Sequence, residues 1–114
     1  MGTTTDTLED AADSPVLPAV QPVAPLQQVL AALADPVRLE MVRRLADSGA
    51  PMACGQLYDG INKSTASHHF KILREAGLTE RVMIGGQAHQ LLRLDEVEQA
   101  LPGVLPAVVT AARA

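Results

Sequence analysis

Apolar residues recur every three or four positions in the stretch that follows Pro25. This spacing places them on one face of an α-helix, so we expect a first amphipathic helix from Pro25 to about Ala34. Proline suits the first helical turn because its missing N–H would have no partner there. The apolar set of this helix is Leu26, Val29, Leu30 and Leu33.

A second apolar run begins directly after a capping signal. Asp35 is a preferred N-cap residue and Pro36 a preferred first helical residue, so the second predicted helix extends to about Asp47. A loop of Ser, Gly, Ala and Pro follows, and we expect a short third helix over about Ala53 to Tyr58. The apolar set of the second helix is Val37, Leu39, Met41, Val42 and Leu45.

A fourth helix is predicted between a polar start and a glycine. Ser64 is a plausible N-cap, the helix reaches Ala76, and Gly77 suits the left-handed residue that ends many helices. Positions 66, 70 and 73 share one helical face and are expected to point at the core. Two short helices across the tight glycine-containing turn at residues 59–62 form a helix-turn-helix.

Two strands with a two-residue turn follow the fourth helix. Thr79 to Ile84 and Gln87 to Leu94 have strand character, and Gly85-Gly86 between them supplies the positive φ angles that a tight hairpin requires. A β-hairpin that directly follows a helix-turn-helix is called a wing. The predicted fold class is therefore mainly α with a small β-hairpin (α+β), of winged helix-turn-helix type.

The end of the chain is predicted to be helical in two pieces. Asp95 with Glu98 three residues later resembles a capping box, which would begin the last helix. Pro102-Gly103 interrupts this helix, and helical character resumes from Val104 to Ala112.

Length and charge divide the chain into a tail and one domain. Residues 1–24 are predicted to be a disordered, acidic, Pro-rich tail, because they contain four acidic residues, no basic residue and no helical or strand period. Residues 25–114 form the domain and carry all nine basic residues against nine acidic ones. An acidic start and the lack of a membrane-spanning apolar run favour a cytoplasmic protein, and a single cysteine, Cys54, agrees with a reducing compartment.

Two segments of the domain carry a family resemblance. Residues 32–39 read Ala-Leu-Ala-Asp-Pro-Val-Arg-Leu, and residues 64–78 read Ser-Thr-Ala-Ser-His-His-Phe-Lys-Ile-Leu-Arg-Glu-Ala-Gly-Leu. At this spacing they resemble the ArsR family of winged helix-turn-helix transcription regulators. The resemblance implies a homodimer formed through the first and last helices, double-stranded operator DNA as partner, and repression relieved by an effector. The residues expected at the dimer interface are Leu26, Val29, Leu30, Leu33, Leu101, Leu105, Val108 and Val109.

The second segment is the expected recognition helix. Its hydroxyl groups are short enough to approach phosphates and base edges, and Lys71 supplies a charge. An ordinary solvated polar face is the alternative interpretation, and His69 suits a packed structural histidine as well as a DNA contact. The wing tip has no Lys or Arg, which predicts modest wing affinity. The residues expected to contact DNA are Ser64, Thr65, Ser67, His68, Lys71, Arg74, Arg81, Gly86 and Gln87.

The effector is less well defined by the sequence. The resemblance points to two kinds of metal site, a Cys-x-Cys element near Cys54 and carboxylate and histidine ligands on the last helix, and neither set is intact here. A nickel or zinc site built from His, Glu and Asp across the dimer stays open, because these ligands suit both ions. Carboxylates that cap a helix, such as Glu96 and Glu98, and a buried, inert Cys54 are the competing interpretations.

The function predicted from these features is sequence-specific DNA binding that regulates transcription. The sequence groups no nucleophile and base that would indicate an enzyme. A winged-helix module that binds proteins instead of DNA is the alternative, because the domain is neutral and the wing tip is uncharged.

Overall fold

The computed structural model describes residues 20–114, and the first nineteen residues of the chain lie outside this range. In chain order its elements are α1 (Leu26–Leu33), α2 (Pro36–Ser48), β1 (Met52–Ala53), a 3-10 turn (Cys54–Gln56), α3 (Lys63–Glu75), β2 (Thr79–Ile84), β3 (Gln87–Leu92), α4 (Leu94–Ala100) and α5 (Val104–Ala112). The three strands form an antiparallel sheet in the order β1-β3-β2. This arrangement confirms the predicted α+β winged helix-turn-helix.

Helix α2 begins and ends where its capping residues require. The Asp35 carboxylate accepts hydrogen bonds from the backbone N–H groups of Val37 at 2.9 Å and Arg38 at 3.1 Å. At the other end Gly49 has a φ of +66°, and its N–H donates to the carbonyl of Leu45. The predicted start is confirmed, and the helix is one residue longer than expected.

Helix α3 is capped by Asn62 rather than by Ser64. The Asn62 side chain accepts a hydrogen bond from the backbone N–H of Thr65 at 2.8 Å, so the helix begins at Lys63 and Ser64 lies within its first turn. Asparagine and serine are equally good N-caps, and the helix uses the earlier of the two. Gly77 follows the helix with a φ of +78°, as predicted.

The predicted third helix is wrong. Met52 and Ala53 pair with Gln90 and His89 of β3, so their backbone groups belong to the sheet. Only a 3-10 turn follows, and Gln56 fixes its start by accepting a hydrogen bond from the Ala53 N–H at 3.2 Å. A strand partner that is distant in sequence therefore decides the conformation of this segment.

The hairpin pairs β2 and β3 in register from Thr79–Leu92 to Ile84–Gln87. Gly85 and Gly86 have φ angles of +58° and +78°, which confirms the predicted two-residue turn. Strand β3 ends two residues before the predicted Leu94, because helix α4 begins there.

The predicted capping box at the start of α4 is also wrong. The residue before this helix is Arg93, which makes no side-chain capping bond, and Asp95 lies in the first turn. The Glu98 carboxylate instead accepts hydrogen bonds from the N–H of Gly103, at 3.1 and 3.2 Å. Glu98 therefore fixes the connection between α4 and α5, not the start of α4.

The core is mainly aliphatic but includes Phe70, and it is formed by all the helices and by residues next to the sheet. Four residues that were predicted to lie at the dimer interface belong to this core, and each is at most 5% exposed within one chain. These four residues therefore contribute to the core of one chain, because a helix buries first the face that packs on its own domain, and any contact they make with a second copy stays a prediction. They are Val29, Leu33, Leu105 and Val109.

Residues 21–24, which we name the strap, lie against the domain although they were assigned to the tail. The Ala24 N–H donates to the Ala76 carbonyl at 3.0 Å, and the buried Arg93 guanidinium donates to the carbonyls of Gln21 and Gly77. Val23 and Ala24 are partly buried against the core. The packed part of the chain therefore begins at least four residues before Pro25, and residues 1–19 of the predicted tail lie outside the described residues.

Candidate nucleic-acid interface

Helix α3 divides into a buried face and an exposed face, as its sequence predicts. Ala66, Phe70 and Leu73 are at most 6% exposed and belong to the core. The opposite face is polar and carries five of the residues that were predicted to contact DNA. These exposed residues are Ser64, Thr65, Ser67, His68 and Lys71.

The basic residues fall into two groups. One group makes hydrogen bonds or ion pairs inside the domain and consists of Arg38, Arg43, Arg44, Arg93 and Arg113. The other four make no such bond within residues 20–114, and all of them lie on α3 or on β2. These four are Lys63, Lys71, Arg74 and Arg81. Positive charge without a partner is therefore confined to one part of an otherwise neutral domain.

Ion pairs on α2 contribute to this uneven distribution of unpaired positive charge. Glu40 contacts Arg43 at 2.7 Å and Arg44 at 2.8 Å, and Arg44 also contacts Asp59 at 2.6 Å. Hydrogen bonds from Arg43 and then from Arg44 lower the pKa of Glu40 to about 2, so it stays ionised at neutral pH. Arg43 and Arg44 are thereby neutralised by neighbouring carboxylates, whereas the basic residues of α3 make no ion pair within residues 20–114.

A cleft of about 630 Å³ lies between the 3-10 turn, α3 and the hairpin, and we name it the wing cleft. It brings together four predicted DNA-binding residues, namely Ser67, Arg74, Arg81 and Gln87. It also contains Lys63, which the sequence analysis did not select because it placed the start of α3 at Ser64. The spacing from Asn62 to Thr65 is the signal that would have found it. The complete lining is Cys54, Gly55, Tyr58, Lys63, Ala66, Ser67, Phe70, Arg74, Arg81, Gln87, Ala88 and Gln90.

The hairpin tip is exposed and apolar. Gly86 and Gln87, which were predicted to contact DNA, are exposed, and Met83 and Ile84 beside them are 59% and 48% exposed. Arg81 lies three residues before Ile84 on β2, also exposed, and is the basic residue of the hairpin. The hairpin therefore places its positive charge near the cleft and not at the tip.

The two segments that carry the family resemblance meet at His69. Its Nδ1 is 3.0 Å from Nη1 of Arg38 and 3.8 Å from the Asp35 carboxylate, while Arg38 also donates to the carbonyl of Ala32 at 2.7 Å. Partial burial acts to raise the pKa of Asp35, but the hydrogen bond from the Arg38 N–H and the Arg38 charge lower it overall. The structure thus places His69 in a packed, bonded position that holds α3 against α1 and α2.

The remaining residues considered for effector binding do not converge. Within residues 20–114 of one chain, no three His, Cys, Asp or Glu side chains lie close enough together to hold a metal ion. The nickel or zinc site across the dimer stays a prediction. Cys54 is half-buried, with its Sγ 3.7 Å from Nε2 of Gln90.

The chain is similar to known regulators in both sequence and fold. A family model described as "Helix-turn-helix domain" matches residues 33–82. The "Uncharacterized HTH-type transcriptional regulator YceK" of Bacillus subtilis (strain 168) is 42% identical over 80 residues, which are 68% of this chain and 80% of that protein. A solved structure of an ArsR-like transcriptional regulator from Rhodococcus sp. RHA1 superposes with a TM-score of 0.58 at 22% identity, covering 77% of this chain and 83% of that one.

The chain belongs to the helix-turn-helix (HTH-type) transcriptional regulators, and it shares the fold of an ArsR-family regulator and of an ArsR-like regulator. The transcriptional repressor BigR from Xylella fastidiosa also shares the fold, with a TM-score of 0.58 and 27% identity over 75% of this chain and 84% of that one. Both YceK and BigR are described as regulators of transcription. Among residues 20–114, none of the helices has the length and apolar character needed to cross a membrane.

Proposed function

We propose that this chain is an ArsR-family regulator that binds specific sequences of double-stranded DNA, with α3 in the major groove and the hairpin on the adjoining backbone. One observation carries the proposal. The four basic residues without a partner among the described residues all lie on α3 or β2, beside an exposed row of short polar side chains. Phosphate binding requires such unpaired cations, and base reading requires short side chains that can donate and accept hydrogen bonds.

The roles of these side chains follow from their chemistry. Lys63, Lys71, Arg74 and Arg81 neutralise phosphates and set the position of the protein on the duplex. Ser64, Thr65, Ser67 and His68 approach base edges from the exposed face of α3. Gly86 and Gln87 lie where the hairpin meets the backbone or the minor groove.

A homodimer is the second part of the proposal. Leu26 and Leu30 of α1 are 43% and 45% exposed, and α5 contains no charged residue. Together with the half-buried Leu101 and Val108, they give α1 and α5 an apolar surface that a second copy would cover. Dimerisation also doubles the four cations available to DNA, which matters for a domain with no net charge.

An interaction module that binds protein instead of DNA is favoured by one observation, the apolar tip at Met83 and Ile84. The two functions differ in their salt dependence. A DNA-binding surface releases counterions, so its affinity falls steeply as salt rises, whereas an apolar tip docked on a protein shows little salt dependence.

Selection of bound DNA from a random pool tests the proposal. We expect enrichment of an inverted repeat, because a twofold dimer reads two half-sites. Failure to enrich any sequence at low salt would contradict it and favour the interaction module. Repeating the selection with nickel or zinc tests the predicted metal response.

By similarity to the repressor BigR, we propose that DNA binding represses transcription. We also propose that the protein acts in the cytoplasm, where the DNA is.

A further inference from the structure

The wing cleft has the composition of a small-molecule site as well as that of a phosphate contact. Its volume of about 630 Å³ is far larger than a phosphate group needs and lies in the range of ligand pockets. Among the described residues that line it, three are basic and none is acidic. Lys63, Arg74 and Arg81 therefore favour an anion.

The opposite wall of the wing cleft is apolar and aromatic. Tyr58 and Phe70 are the only aromatic residues of the chain, and both line this cleft, with ring centroids 6.2 Å apart in an edge-to-face arrangement. Tyr58 is half-buried, so part of its surface is open. An apolar, planar ligand body would cover this surface, which a DNA phosphate would not.

A third observation concerns Gln90, which lines the cleft and is 1% exposed. Its Nε2 contacts the Cys54 thiol, but its Oε1 is buried without a hydrogen-bond partner among the described residues. Buried amide oxygens without a partner are rare because desolvation costs free energy that no bond returns. A ligand O–H or N–H would provide the missing donor.

We propose that the wing cleft binds a small aromatic carboxylate that carries a hydrogen-bond donor, and that this ligand and operator DNA exclude each other. The carboxylate contacts Arg74, Arg81 and Lys63, the ring lies against Tyr58, and the donor satisfies Gln90. Lys63, Arg74 and Arg81 are also three of the four basic residues that we assign to DNA phosphates. The competition between this ligand and DNA therefore rests on the proposed DNA-binding function. The ligand would then release the regulator from DNA.

Cys54 gives a direct readout, because it is the only cysteine of the chain and lines the cleft. The full-length protein is alkylated with neutral iodoacetamide, and the rate is followed by mass spectrometry. We use 4-hydroxybenzoate as the ligand and uncharged 4-hydroxybenzamide as its control. At ten times its dissociation constant, 4-hydroxybenzoate should slow the alkylation about tenfold, because only unoccupied cleft reacts. The amide should give no protection at the same concentration.

Two variants locate the anion contact. Arg81→Gln, at an exposed position that tolerates substitution, should weaken protection by 4-hydroxybenzoate about tenfold, as expected for one lost charge-assisted bond. Arg113→Gln removes the same charge from the end of α5, where Arg113 pairs with Asp47, and should leave protection unchanged. Equal loss in both variants would show general charge attraction and overturn the site.

A competition arm separates this proposal from the DNA-binding proposal. At constant ionic strength, maintained with sodium chloride, 4-hydroxybenzoate should displace operator DNA and the amide should not. Absence of Cys54 protection up to the solubility limit would overturn the ligand site, whatever the DNA result. Protection without displacement would overturn the mutual exclusion. A protein that binds no DNA but is protected would overturn the proposed function and leave the ligand site supported.

Discussion

Gly77 allows the contribution of the strap to stability to be measured by one substitution. Its φ is +78°, and a Cβ added there would overlap the carbonyl oxygen of Pro22 and the Cα of Val23. Gly77→Ala must therefore both adopt a left-handed conformation and displace the strap. Gly86 has the same φ of +78°, but a Cβ there would meet nothing within 4 Å. Gly86→Ala is thus a control for the backbone cost alone.

The magnitudes follow from the contacts. A left-handed alanine costs about 1 to 2 kcal/mol, and both variants share this cost. Releasing the strap loses the Ala24–Ala76 bond and the Arg93–Gln21 bond, worth about 2 to 3 kcal/mol together because one donor is charged. The overlap cannot cost more than releasing the strap, so we expect Gly77→Ala to lower the free energy of unfolding by about 3 to 5 kcal/mol in total.

The assay is urea unfolding at one fixed protein concentration, since dimerisation makes stability depend on concentration. A deletion of residues 1–24 completes the comparison. Without the strap, Gly77→Ala and Gly86→Ala should destabilise the protein equally. A Gly77→Ala effect that is no larger than that of Gly86→Ala in the full chain would refute the reasoning and show that the strap contributes nothing.

Two further predictions concern the ion pairs of α2 and the assembly of the protein. The hydrogen bonds from Arg43 and Arg44 lower the pKa of Glu40 from 4.5 to about 2. The stabilisation that these bonds give to the folded state is therefore complete above pH 4.5 and is lost as the pH falls through 2. Glu40→Gln should therefore cost about 1 kcal/mol at pH 7, since the pairs are exposed to solvent. A difference from the wild type that is as large in urea titrations at pH 2 as it is at pH 7 would be inconsistent with this assignment. Leu30→Asp should halve the mass in sedimentation, while Leu94→Asp, at an equal 45% exposure on α4, should not; dimers in both variants would contradict an interface at α1.

Local signals in the sequence predicted most of the elements correctly. Asp35-Pro36, Gly77 and Gly85-Gly86 each act within a few residues, through a side-chain cap or a positive φ, and each is found where the sequence places it. The polar and apolar faces of α3 were also predictable, because a single period of 3.6 residues decides which side chains reach the core.

The errors arise from contacts between residues distant in sequence. Ala53 is a strand residue because β3 pairs with it. No residue close to Ala53 in the sequence indicates this pairing. Val29 and Leu105 are buried in the core of one chain, and the spacing of apolar residues along a helix cannot distinguish a core residue from one that contacts a second copy. Lys63 was not selected because Ser64 was predicted to cap α3, whereas Asn62, two residues earlier, caps it.

The salt dependence of operator binding tests the central claim, that α3 binds DNA, most directly. The measurement compares the slope of log affinity against log salt for the wild type, Lys71→Ala and the remote control Arg113→Ala. A dimer that loses one phosphate contact per subunit should lose about 1.8 from the slope in Lys71→Ala, on specific and random DNA alike, and nothing in Arg113→Ala. Ser67→Ala and His68→Ala should instead cost about 1 to 3 kcal/mol on the selected operator and little on random DNA. If Lys71→Ala keeps the wild-type slope and the Ser67 and His68 variants keep the wild-type preference for the operator, α3 does not contact DNA and the account is wrong.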